Sequence, residues 1–180
     1  MTTLVGSRRP GTDEYSEYFG RYVNEVPDGN ILEVLEQQIE RTTRLLGGLS
    51  DEEALFRPTP QDWSVKEVVC HLCDTERIFT YRALRIARGD KTPLTGFDQV
   101  PYVVAAHADA RHLADLLAEF GTIRQATLWL FRSLPPEAWD YRGIASDQPF
   151  SVLALAYIAA GHENHHIRSL KAEYLDHSRI

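Results

Sequence analysis

Four stretches of this chain carry apolar residues at helical spacing, and none shows the strict polar–apolar alternation of a half-buried strand. They are residues 31–46, 64–88, 105–134 and 151–175. In the first, Ile31, Leu32, Leu35, Ile39, Thr42, Leu45 and Leu46 share one side, with Glu and Arg between them. Asn30 can cap that helix, and Gly47-Gly48 ends it. The second opens on Ser64-x-x-Glu67, which has the form of a capping box, and stops at Gly89-Asp90. The third is marked by Leu113, Leu116, Leu117, Phe120, Ile123, Leu128 and Phe131, the fourth by Leu155, Ile158, Ala159 and Leu170. Four amphipathic helices bury their stripes most simply against one another, so the spacing predicts an all-α four-helix bundle over residues 30–180. Residues 1–29 are expected to form an irregular arm that lays Tyr15, Tyr18, Phe19 and Tyr22 on the body. The connections after the second and third helices run to roughly 15 residues, longer than the 2–8 usual between adjacent bundle helices, which predicts long crossover connections.

The charge balance narrows the function. The formal net charge is −7, and no basic block occurs. Such a chain is a poor partner for a phosphate backbone, so nucleic-acid binding is not expected. No apolar run approaches the ~20 residues that span a bilayer, so no membrane partner is expected either. The first residues lack the apolar core of a secretory signal, which makes the cytoplasm the expected location.

Against this background one hexapeptide stands out: Gly161-His162-Glu163-Asn164-His165-His166, inside the fourth helix. Residues four apart sit one turn apart on one face, so His162 and His166 can aim two imidazoles at one point, while His165 turns about 100° away. Two histidines so spaced suit zinc, nickel or iron, but need a third ligand. His107 and His112 lie beside charged residues and read as solvated, and His177 falls in the tail. His71 lies mid-helix on an apolar face, where an imidazole is costly unless its nitrogens are satisfied. The competing reading is a core histidine bonded to a carboxylate or carbonyl. Cys70 and Cys73 form a lone C-x-x-C well inside the second helix, and buried helical cysteines describe them better than a redox or zinc motif.

Two segments resemble one family. Trp63-Ser64-Val65-Lys66-Glu67-Val68-Val69-Cys70-His71-Leu72-Cys73-Asp74-Thr75-Glu76-Arg77 matches W-S-x-x-E-x-x-x-H-L-x-D-x-E, and Gly161-His162-Glu163-Asn164-His165-His166 matches G-H-x-x-H-H. Together they are similar to the DinB/YfiT-like superfamily, in its second DinB-like subtype. Arg82 and Pro93-Leu94-Thr95-Gly96-Phe97-Asp98 also resemble that family's loop after the second helix. The resemblance implies a four-helix bundle with a crossover, often a homodimer, that holds a divalent metal through three histidines. By position these are His71, His162 and His166. It further implies a small-molecule substrate and, in some relatives, a low-molecular-weight thiol as cofactor.

Three neutral imidazoles leave a divalent ion its full charge and at least one open position, which suits catalysis better than a closed structural site. The resemblance implies a thiol-dependent S-transfer, and a metal-held hydroxide would give a hydrolysis; the triad does not distinguish the two. The alternative is a non-catalytic bundle stapled by metal, with a stress-related or regulatory role. A carboxylate is wanted as proton acceptor. Asp98, on the loop after the second helix, and Asp74, one turn from His71, are the candidates ahead of Glu163, with a plain surface acid the competing reading for each.

Overall fold

The structure, a computed structural model, describes residues 8–175; His177 and the outermost parts of the expected arm and bundle lie outside them. Six α-helices are present among the described residues: α1 (Gly20–Val23), α2 (Ile31–Leu46), α3 (Val65–Ala87), α4 (Gln99–Ala106), α5 (Leu113–Arg132) and α6 (Val152–Ser169), the last running into a π-helical turn at Leu170–Leu175. The four long ones make the bundle. Helix α3 packs on α5 and α6, and α2 packs on the same two. Consecutive helices α2 and α3, and likewise α5 and α6, therefore face across the diagonals. The crossovers are thus the connections before α3 and after α5, while the long connection between α3 and α5 joins neighbours.

The helix starts follow local chemistry. Asn30 Oδ1 accepts from Leu32 N at 2.9 Å, and Ser151 Oγ from Ala154 N at 2.9 Å. Ser64 and Glu67 complete the capping box, each side chain bonded to the other's backbone N–H at 3.0 Å. These bonds satisfy amide donors that have no partner inside their own helix.

Two expectations are corrected. The stretch 105–134 is not one helix. The chain leaves α4 at His107 in the left-handed region (φ 49°) and re-enters helix at Leu113. Ala105, Ala106, Ala108 and Ala110 favour helix locally, but tertiary bonds prevail. Asp109 accepts from Ser64 Oγ at 2.5 Å and pairs with Arg57 at 2.5 Å, while Asp51, from a distant loop, caps Leu113 N at 2.7 Å. Second, the chain does contain strands. β1 (Arg142–Ala145) and β2 (Gln148–Ser151) form an antiparallel hairpin, with Leu94 bridging parallel to Ala145. The turn residues Ser146 and Asp147 both have positive φ, 49° and 59°, as a two-residue hairpin turn requires. Pro149 pairs with Ile144, next to the hydrogen-bonded pair that closes the turn, where a missing N–H costs the ladder nothing.

The N-terminal segment holds a 3₁₀ turn (Glu17–Phe19) and the one-turn α1. Tyr15 and Tyr22 are buried, Phe19 is half-buried and Tyr18 is exposed.

The apolar core falls into two parts. One gathers the start of α2, the ends of α3 and α5 and most of α6, including Leu35, Phe79, Leu128 and Ile158. The other gathers the end of α2, the starts of α3 and α5 and the turn after α6, including Leu46, Val69, Phe120 and Leu170. Between them each of the four long helices contributes buried polar side chains: Gln38 and Thr42, His71, Thr75 and Glu76, Arg124 and Thr127, His162 and Glu163. A polar layer crosses the middle of the bundle, and the site lies in it.

Candidate metal centre

On α3 and α6 the layer holds His71, His162 and His166. The Nε2 atoms of His71 and His162 are 3.1 Å apart, those of His162 and His166 3.2 Å. One nitrogen from each ring lies within 4.8 Å of the other two. His71 and His162 are almost wholly buried, and His166 is half-buried.

The donor set fits a divalent cation. Burial pushes His71 down to about 4 and, with the neighbouring histidines, His166 to about 3; His162 falls well below its ordinary value for the same reasons. All three rings are therefore neutral at pH 7 and each has a lone pair to offer. Thr75 identifies which nitrogen carries it in His162. Its hydroxyl donates to His71 O at 2.7 Å, so toward His162 Nδ1, 3.4 Å away, it can only accept. The proton of His162 then sits on Nδ1, and Nε2 is a bare lone pair faced by two other ring nitrogens. One lone pair serves a single in-line N–H well, whereas three converging lone pairs suit a cation. Tetrahedral zinc with bonds of about 2.0–2.1 Å would hold its nitrogens about 3.3 Å apart, close to the 3.1 and 3.2 Å that separate His162 from its two partners.

Aromatic rings enclose the centre. Trp63 leans on His71 with centroids 4.8 Å apart, while Tyr22 and Phe79 meet His162 edge-on at 5.2 and 5.7 Å. A cavity of about 340 Å³ adjoins His162, lined also by Thr75, Phe79, Arg82, Phe97, Asp98 and Ser146. A second, of about 240 Å³, adjoins His166 beside Trp63 and Tyr174.

Beside the triad lies a network that spacing alone did not reveal. Arg124, wholly buried, forks onto Glu76 (Nε to Oε1 2.7 Å, Nη2 to Oε2 2.8 Å) and donates through Nη1 to Leu35 O and Gln38 Oε1. Its Nη2 also lies 2.7 Å from Glu163 Oε2, an ion pair without hydrogen-bond alignment, so that oxygen has no donor among the described residues. Thr127 bonds Glu76 at 2.7 Å and Thr42 bonds Glu163 at 2.5 Å. Burial pushes the Glu163 carboxyl up, against the pull of Arg124. Glu163 is thus a core acid, not a surface one. Adjacent residues on each helix divide the work: Thr75 and His162 face the triad, Glu76 and Glu163 the arginine. The network thereby ties the backbones that carry the histidines.

The carboxylates singled out by sequence part company. Asp98 lines the larger cavity with His162, its Oδ1 capping α4 through Val100 N at 3.0 Å. Asp74 is not brought to the triad. It lies 3.4 Å from Arg77, and neither cavity flanking the histidines includes it. His165 turns away to Glu25 (3.2 Å), His112 pairs with Asp51 at the surface, and His107 is exposed. Cys70 and Cys73 are buried, free thiols that burial pushes above their ordinary range.

Comparison with known proteins agrees with the bundle fold. The profile of the DinB superfamily matches residues 34–170. The chain belongs to the DinB superfamily. Its fold is also that of a solved structure, YfiT from Bacillus subtilis, a four-helix bundle of unusual topology. The two superpose with a TM-score of 0.72 at 17% identity, over 97% of this chain and 94% of that one. No curated protein matches the sequence. The helices matched by the DinB profile include those that carry all three histidines. No helix among the described residues is long and apolar enough to cross a membrane.

Proposed function

We propose that this DinB-superfamily chain is a metal-dependent hydrolase of a small molecule, with His71, His162 and His166 holding one divalent ion. The observation that carries this reading is the convergence of three neutral imidazoles from two helices, two of them buried and His166 half-buried, with no acidic or thiol ligand in the cluster to close the sphere. The solved structure it resembles, YfiT, is described as a probable metal-dependent hydrolase, which supports the same reading. When bound, the ion would supply Lewis acidity, lowering the pKa of a water or thiol it holds.

The chain's own residues do the rest. Thr75 keeps the His162 proton on Nδ1 and so orients the ring. Trp63, Tyr22 and Phe79 lay apolar ring surface against the imidazoles, which strengthens charge interactions at the centre. The Arg124 network holds α3 and α6 in register. Asp98, which lines the same cavity as His162, would be the carboxylate that accepts a proton from a reactant.

Transfer to a low-molecular-weight thiol is the second reading. Cys70 and Cys73 are buried with raised pKa values, so a reactive sulfur at the centre would have to enter from outside through the cavity. One experiment tests both. Metal is quantified in untagged protein and in His71→Ala and His166→Ala, alongside turnover of ester, amide and phosphoester panels, and of a chloronitroaromatic with and without thiols. About one ion per chain is expected, lost with turnover in both variants while helicity is kept. Unchanged metal content in both variants overturns the proposal.

A further inference from the structure

Two arginines are buried among the described residues, and they are treated very differently. Arg124 is met by two carboxylates. Arg82, 3% exposed, has no acidic partner among the described residues. Only its Nη2 is bonded, to Ser146 Oγ at 2.8 Å and, weakly, to Thr95 O at 3.4 Å. The N–H groups on Nε and Nη1 have no acceptor among the described residues. A guanidinium stays protonated even where burial opposes its charge, as here, and a buried charge without a counter-charge costs several kcal/mol. The Phe97 ring faces the guanidinium 6.0 Å from Cζ, and the free N–H groups are not sealed inside the protein, so water or an entering anion can meet them.

The surroundings say where that anion would sit. Arg82 lines the 340 Å³ cavity that His162 also lines. On α3, His71, Thr75, Phe79 and Arg82 follow one another at helical spacing along one face. Phe19, Phe79 and Phe97 supply apolar walls. Ser146, which holds Nη2, sits in the hairpin turn between β1 and β2. Asp98, the acid lining this cavity, forms no ion pair with Arg82, and its Oδ1 accepts from Val100 N.

We propose that Arg82 docks an oxyanion, carboxylate or phosphate, of the molecule that enters this cavity, so that the substrate is a small acid with an apolar body whose other end reaches the histidine triad. This rests on the hydrolase reading for the second half only; the anion site itself needs no metal. Arginine is suited to it because its planar fork binds such groups bidentately.

The test uses benzoate and phenyl phosphate as probes, with benzamide as the uncharged control of matching shape. Binding is measured by calorimetry and thermal shift to wild type, Arg82→Met and Arg82→Lys, each metal-free and zinc-loaded. Metal-free wild type is expected to prefer an anionic probe over benzamide by at least about ten-fold. Arg82→Met should lose that preference with helicity unchanged, and Arg82→Lys should keep part of it. The tighter of the two anions identifies the head group. Equal binding of benzamide and both anions to metal-free wild type, which needs no variant to fold, overturns the proposal. So does a preference that survives in Arg82→Met. A preference that persists while His71→Ala and His166→Ala keep their metal leaves the anion site standing and removes only the hydrolase reading.

Discussion

Gly161 precedes His162 on α6, in a helix where alanine would ordinarily be the better residue by about 1 kcal/mol. Here the sign should reverse. A Cβ on Gly161 would lie 1.9 Å from Tyr22 O, 2.4 Å from Tyr22 C and 3.0 Å from Tyr22 Cα. An unstrained carbon–oxygen contact is about 3.3 Å, so roughly 1.4 Å must be found. The obstacle is backbone, which cannot rotate aside, so α1 must move off α6. Overpacking of this kind costs about 1–3 kcal/mol. With the obstacle rigid, a net loss near 2 kcal/mol is expected for Gly161→Ala. For a chain of this size that is a fall in Tm of about 4–8 °C. Urea and thermal unfolding of metal-free protein measure it. Gly121→Ala on α5 is the control, since its Cβ would meet only Ile39 Cγ2 at 3.8 Å, an ordinary contact. It should stabilise by about 0.5–1 kcal/mol. Because Tyr22 lies edge-on to His162, Gly161→Ala should also weaken zinc binding. A Gly161→Ala protein as stable as wild type would refute the reasoning, for it would mean that α1 does not rest on α6.

Arg124→Met leaves Glu76 and Glu163 buried without their cation and should cost about 3–5 kcal/mol in urea unfolding; the double change Arg124→Met with Glu76→Gln should recover part of it. Metal-free protein should lose stability as pH falls from 6.5 to about 4. His71 has a lower pKa folded than unfolded, so the unfolded chain binds the extra proton in that window. His71 alone then removes about 3 kcal/mol, and a flat stability profile between those pH values would contradict its burial. Zinc at a hundred times its Kd should add about 2.7 kcal/mol, raising Tm by about 5–10 °C, and the increment should vanish in His166→Ala.

The fold and the triad were legible because each rests on a local rule. Asn30, Ser64 and Ser151 announce helix starts through their own side chains, and a four-residue gap places His162 and His166 on one face whatever surrounds them. The broken third helix was not legible, because its break is enforced by Asp51, Ser64 and Arg57, all distant in sequence. The hairpin hid behind Pro149 and a Ser-Asp turn, where Asn-Gly or Asp-Gly would have signalled it. The buried charges left a trace that spacing could have shown. Arg124 continues the stripe of Phe120, Leu128 and Phe131, and Arg82 and Glu76 fall among the apolar positions of α3. A charged residue on an apolar stripe asks for a partner, just as His71 did. For Asp74 the local rule pointed the wrong way, since one helical turn from His71 leads it to Arg77 rather than to the triad.

The cavities on the His162 and His166 sides give the centre two separate approaches. A bulky molecule seated against Arg82 need not stop a small one from arriving beside Trp63. Reactants could then bind in either order, and product could leave by one route while water refills by the other. Initial-rate patterns of a random sequence, and inhibitors for the two mouths that do not exclude one another, are the kinetic counterpart of that arrangement.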